Sequence, residues 1–162
     1  MYKYTIILSS LSDAFLKLSF GIIFFNYGYG KLMNLITGNS EGLVSMVSSI
    51  PLFGTFPLFF SWVLALGEIG VLIALFYGLF YFLPLSNAIT RVAGIVSLII
   101  SLVIVYQHIY AWGDNIFLYG PFEILNIEEG KKSIFGQFLF IPISIYIIFS
   151  SRPNNNMIND TK

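Results

Sequence analysis

Residues 56–82 read FPLFFSWVLALGEIGVLIALFYGLFYF, and the only charged side chain in the stretch is Glu68. A helix of this length rises about 40 Å, more than the roughly 30 Å of hydrocarbon in a bilayer, so the segment can cross a membrane with tilt. The rest of the chain has the same character. It is 57% hydrophobic and only 10% charged over 162 residues, with a mean hydropathy of +0.84, whereas an ordinary soluble domain carries about 25% charged residues. Such a chain cannot cover its own surface with polar groups, and spans of roughly 20 residues with short links fill its length with about four crossings.

Three further segments fit crossings. Residues 16–35, LKLSFGIIFFNYGYGKLMNL, lie between Lys17 and Lys31 with no acid inside. Residues 90–112 open near Arg91 and end near His108, and the turn before them contains Pro84, Ser86 and Asn87. Residues 134–150, IFGQFLFIPISIYIIFS, are the shortest and contain Pro142, where a kink is expected because the freed carbonyl must find another partner. Between the first two spans, Asn39 or Ser40 can cap a short helix with Leu43, Val44, Val47 and Ile50 at helical spacing, ending before Pro51. The expected fold is an all-α membrane protein, a four-transmembrane-helix bundle with a short interfacial helix between helices 1 and 2. One domain covers residues 1–151, and the polar stretch RPNNNMINDTK at 152–162 reads as a disordered tail.

Charge and cysteine count narrow the function. Eight Lys plus Arg balance eight Asp plus Glu, leaving no basic field for nucleic acid phosphates. The absence of Cys removes disulfides, thiolate nucleophiles, zinc thiolate sites and iron-sulfur ligation together. No dedicated metal site is expected, and the acids Asp114, Glu123, Glu128 and Glu129 read as a solvated loop, with weak binding of a cation by their cluster as the alternative. The apolar run before Asp13 is too short for a secretory signal, so the start reads as uncleaved. Counting basic residues puts Lys3, Lys17, Arg91, Arg152 and Lys162 on one side and Lys31, Lys131 and Lys132 on the other. That majority predicts both termini in the cytoplasm.

A charge in hydrocarbon costs about 2.5 to 3.5 kcal/mol on insertion scales, so Glu68 demands a partner. Helical rise puts it roughly 18 Å in from the outer end of the second span, near the bilayer centre. Lys31, His108 and Gln137 fall in the outer half, with Glu68 as the floor beneath them. Lys17, Gly21, Phe24, Gly28 and Lys31 share one stripe, whose glycines permit close helix contact and turn Lys31 inward. Gly94, Ser97, Ser101 and His108 share another. On the second span, Gly67, Gly70, Ala74 and Gly78 lie on one face, and Glu68 with Ser61, Ala65 and Leu72 on a different one, so that helix is expected to touch neighbours on two sides.

These segments resemble the DoxX family of small four-helix membrane proteins, which includes DoxD-like subunits of thiosulfate:quinone oxidoreductase. The resemblance rests on LKLSFGIIFFNYGYGKL, ALGEIGVLIALFYGL, TRVAGIVSL and QHIYAWGDNIF, and covers residues 16 to 150. Two features depart from the family pattern: the longer link FYFLPLSNAI between helices two and three, and Gln137 where an acid often enters helix four. The resemblance implies a membrane subunit beside an oxidoreductase, often one linked to quinones or sulfur compounds, in a prokaryotic cytoplasmic membrane. Lys31, Glu68 and His108 are the residues at its matching positions.

Several readings stay open for each candidate. Glu68 is either a proton-exchanging acid or a neutral structural acid bonded to a neighbouring helix. Lys31 either balances Glu68 or an anionic substrate, or snorkels to the headgroups. His108 is either a packing residue or a hydrogen-bond donor to a quinone carbonyl. The aromatics, among them Phe24, Phe25, Tyr27, Tyr29, Trp62, Tyr77 and Tyr110, fit an interfacial belt or lipid contact, while Tyr106 and Trp112 are placed to border a flat quinone ring. Quinone is thus the candidate cofactor, and the bilayer, a redox partner subunit and a second copy of the chain are the candidate partners. The rival functions are a non-catalytic assembly or anchoring subunit and, with less support from only four short spans, a permease.

Overall fold

A computed structural model of the chain describes residues 2–80, 82–111 and 135–150, with the side chains of 2–7 and 135–137 outside the description. The described residues form helices α1 (Tyr2–Ile36), α2 (Glu41–Ser48), α3 (Pro57–Leu79), α4 (Ser86–Tyr106) and α5 (Phe135–Phe149). A π-helical turn, Gln107–Ala111, continues α4. Among the described residues, three segments are long and apolar enough to cross a membrane: Leu8–Ile36, Pro57–Leu79 and Ser86–Ala111. The described elements are thus all helical, and the protein is of the integral membrane type, with apolar helices that suit contact with lipid. At 15 residues α5 is the exception, rising about 22 Å where the hydrocarbon core needs roughly 30 Å. The 152–162 tail, Trp112 and the acids at 114–129 lie outside the described residues, as does the side chain of Gln137.

The ends of the helices follow local chemistry. Thr37 closes α1 by donating its N–H and its Oγ1 to the Met33 carbonyl, at 2.9 and 2.8 Å, and Gly38 follows at φ +80, the left-handed conformation that glycine adopts without penalty. Ser40 stands at the N-cap of α2, as expected, but its side chain makes no capping bond, and Glu41 in the first turn offsets the helix dipole instead. Pro57 occupies the first turn of α3, where its missing N–H costs nothing. The link to α4 turns through Leu85, a non-glycine residue at φ +58, and the Tyr77 hydroxyl donates to the Pro84 carbonyl at 2.9 Å. A side chain in that conformation costs about 1 kcal/mol or more. Leu85 is 74% exposed, so Leu85→Gly removes the clash without opening a cavity. We expect it to raise the unfolding free energy in bicelles by up to about 1 kcal/mol.

Neighbouring helices run antiparallel, and the register can be read from contacts. A Cβ on Gly21 would meet Leu72, and one on Gly28 would meet Ala65 and Glu68, so α1 descends α3. Gly67 faces Val96 and Ile100 of α4. Gly94 faces Ile147 and Ile148 of α5, and the Ser97 and Ser144 hydroxyls are 2.8 Å apart across the same contact. The Phe140 ring then lies 5.5 Å from Phe20 and 5.4 Å from Phe24, bringing α5 back onto α1. The core is this aromatic triad with Val71, Leu75, Ala93, Ile100 and Ile147. Glycine and serine at the helix contacts let backbones approach closely, which is how helices associate where lipid offers no hydrophobic gain.

Two sequence expectations change. Helix α1 does not start near residue 16 but runs through Asp13 and Lys17, because Lys17 Nζ donates to the Asp13 carboxylate one turn away. That pairing removes the need for Lys17 to sit at a membrane surface, and it is only 1% exposed. Phe24 is a core residue at 3% exposure rather than a lipid contact. Helix α5 continues through Pro142, as the reading of residues 134–150 as one span has it, and Pro142 is on the exposed side.

Candidate functional site

Glu68 lies on the face of α3 that also carries Ser61, Ala65, Val71 and Leu75, all buried. Its side chain is 1% exposed, against 19% for Lys31. Lys31 Nζ donates to both carboxylate oxygens, each at 2.6 Å. The approach depends on Gly28, one turn before Lys31: a Cβ there would fall 2.8 Å from the Ala65 carbonyl oxygen and 2.8 Å from Glu68 Cβ. Without that side chain α1 can lie directly against α3, and Lys31 reaches the acid from the next turn. The ammonium also lies 5.6 Å from the centre of the Tyr27 ring, a cation–π distance. The pair is buried at its acidic end and open at its basic end, so a charge or a proton approaching from outside meets Lys31 first.

His108 is buried at 2% exposure in the π-helical turn. From the register in which Gly67 faces Val96 and Ile100, it comes level with the first turn of α3, about 16 Å along the axis from Glu68. The fold thus joins Lys31 to Glu68 and stacks His108 above them, near the same end of the bundle. Tyr106 is 39% exposed, and its ring stacks on Tyr110 at 4.7 Å. Trp112, the other aromatic assigned to a quinone ring, lies outside the described residues.

Two polar groups emerge from the coordinates that the sequence pattern did not single out. Gln107, beside His108, is also 2% exposed, and its Nε2 donates to Ser49 Oγ at 2.6 Å, tying α4 to the end of α2. The widened π turn makes room for two consecutive inward polar residues, and such turns recur at functional sites. The only signal in the sequence was the pairing of Gln107 with His108. At the opposite end of the bundle, Asp13 receives Lys17 and, more weakly, the Tyr146 hydroxyl at 3.4 Å. The spacing of four between Asp13 and Lys17 was visible, but it sat outside the segment taken as the span.

Compared with protein-family models, with curated proteins and with solved structures, the chain matches none.

Proposed function

We propose that this chain is a DoxX-like subunit of a quinone-linked oxidoreductase, crossing a prokaryotic cytoplasmic membrane four times with both termini in the cytoplasm. In this reading Glu68 exchanges a proton as quinone is reduced or quinol oxidised, Lys31 balances its charge, and His108 donates a hydrogen bond to a quinone carbonyl oxygen. Electrons come from a partner subunit, with enzymes acting on sulfur compounds as one class of partner. The observation that supports the reading is the bidentate Lys31–Glu68 pair, with the carboxylate 1% and the ammonium 19% exposed. Intramembrane ionisable residues of this kind are functional by default, and the graded exposure gives a proton one way in, along Lys31. Tyr106 and Trp112 remain the candidate borders of the ring.

The test is quinone reduction by the purified complex. Glu68→Gln keeps the size of the side chain and removes its titration, and we expect a rate at least tenfold lower (about 1.4 kcal/mol in the barrier) with an altered pH profile. An unchanged rate and profile would sink the proton role.

The second reading is a non-catalytic anchor in which the pair locks α1 onto α3. The fit of Gly28 against Ala65 and Glu68 favours it. It predicts that Glu68→Gln lowers the amount of assembled complex while the rate per molecule is unchanged.

A further inference from the structure

The side of α1 turned away from α3 carries a pattern that neither the packing of the bundle nor the Lys31–Glu68 pair uses. Ser12, Ser19, Asn26 and Met33 recur every seven residues, and all are exposed. Three residues after each of them stand Phe15, Ile22, Tyr29 and Ile36, exposed as well. The two rows correspond to the a and d positions of a heptad repeat, while Gly21 and Gly28, which lie against α3, fall on the opposite side of the helix. A period of seven sustained over the whole span is the pattern of a seam against another helix. A face turned only to lipid needs apolar residues but no such period.

Asn26 says what the seam meets. Gly28 lies against Glu68 near the bilayer centre, so Asn26, two residues away, is within about 3 Å of the same depth. The edge of the hydrocarbon is roughly 15 Å off in either direction, out of reach of so short a side chain. The Asn26 amide has no hydrogen-bond partner among the described residues, and an amide left bare in hydrocarbon is costly. Serine makes no such demand, since its hydroxyl can return to a carbonyl of its own helix. A carboxamide carries both donors and an acceptor, so two copies of Asn26 facing each other satisfy one another. Two copies of one chain in one membrane share an orientation, which brings α1 against α1 in parallel about a two-fold axis and sets each a position against its own copy. A single asparagine among a positions fixes register and oligomeric state in such seams. Ser12 and Ser19 let the backbones come close, as small residues do where helices meet in lipid.

We propose that this face of α1 docks a second copy of the chain, as a parallel dimer in which the two Asn26 amides hydrogen-bond each other near the middle of the membrane. The seven-residue period gives the paired helices a left-handed crossing of about 20°. Helix α1 is then central to the assembly, with its glycine side on α3 of its own copy and its Asn26 side on α1 of the other. The interface uses neither the Lys31–Glu68 pair nor any redox reaction, and it goes beyond the function proposed above.

The test combines subunit counting with disulfide crosslinking, both on the full chain in liposomes. Single-molecule photobleaching of a fluorescently tagged chain, over a series of dilutions with lipid, is expected to show two steps where random pairs are rare. The chain has no cysteine of its own, so each introduced thiol reports one contact. We expect Ser12→Cys and Ser19→Cys to form crosslinked dimers about tenfold or more faster than Val92→Cys, a 57% exposed position on α4. Asn26→Leu, a change at an exposed position that leaves the bundle intact, is expected to weaken dimerisation about tenfold, and Asn26→Gln, which keeps the amide, to weaken it less. Single-step bleaching throughout the series would overturn the proposal. So would crosslinking as fast at Val92→Cys as at Ser19→Cys, or an Asn26→Leu chain that dimerises as well as the unaltered one. Glu68 is unchanged throughout and no redox rate is read, so the two proposals fail separately.

Discussion

Lys31→Met is expected to destabilise the bundle by about 3 to 5 kcal/mol, the range found when one partner of a buried ion pair is removed. The loss has little to do with the length of the side chain, which methionine nearly reproduces. It comes from leaving the Glu68 carboxylate, 1% exposed and now without its two 2.6 Å bonds, in an apolar interior. The measurement is the unfolding free energy by denaturant titration in bicelles. A decrease below about 1 kcal/mol, typical of exposed pairs, would mean that water reaches the acid.

Gly28→Leu should have an effect of similar size for a different reason. Even the first carbon of a side chain at position 28 would lie 2.8 Å from the Ala65 carbonyl oxygen and 2.9 Å from the Ile69 nitrogen. Backbone atoms inside a helix cannot swing aside, so α1 must move off α3. Overpacking of this kind costs about 3 kcal/mol at the upper end of its range, and the displacement also draws Lys31 away from Glu68. The control is Gly30→Leu, two residues on. Nothing lies within 4 Å of a Cβ at Gly30, and we expect a change within about 0.5 kcal/mol. Equal effects at the two positions would contradict the α1–α3 contact.

The residues that proved readable from sequence share a property: their meaning depends on a single helix. Residues 56–82 and 90–112 form helices close to the expected limits, ending at Leu79 and Ala111, because long apolar runs leave little choice once lipid is the solvent. The inward faces of α1 and α4 follow from helical spacing, and Gly21, Gly28, Gly94, Ser97 and Ser101 all stand at helix contacts or in the interior. The pairing of Lys31 with Glu68 also follows, since two opposite charges at compatible depths on adjacent helices have few other places to go.

What escaped depends on partners that spacing does not reveal. Asp13 and Lys17 looked like a boundary because each alone is expensive in lipid; as a pair one turn apart, with the Tyr146 hydroxyl from α5 nearby, they let α1 extend to Tyr2. The π turn at Gln107 has no signature in composition, since it follows from how the end of α4 meets α2 through Ser49. Phe24 was open to two readings, since it shares the inward stripe with Gly21 and Gly28 while a phenylalanine in a span also suits lipid; its contact with Phe140 decides for the interior. The axial distance between His108 and Glu68 needed the register of α3 against α4.

The whole account rests on Lys31 and Glu68 holding each other inside the bundle, and a double-mutant cycle measures that directly. Unfolding free energies of the unaltered chain, Lys31→Met, Glu68→Leu and the double variant, all in bicelles, give the coupling between the two side chains. We predict a coupling of about 2 kcal/mol or more, with the double variant more stable than Lys31→Met alone. Additivity of the two substitutions within about 0.5 kcal/mol would mean that the pair does not exist in the folded protein.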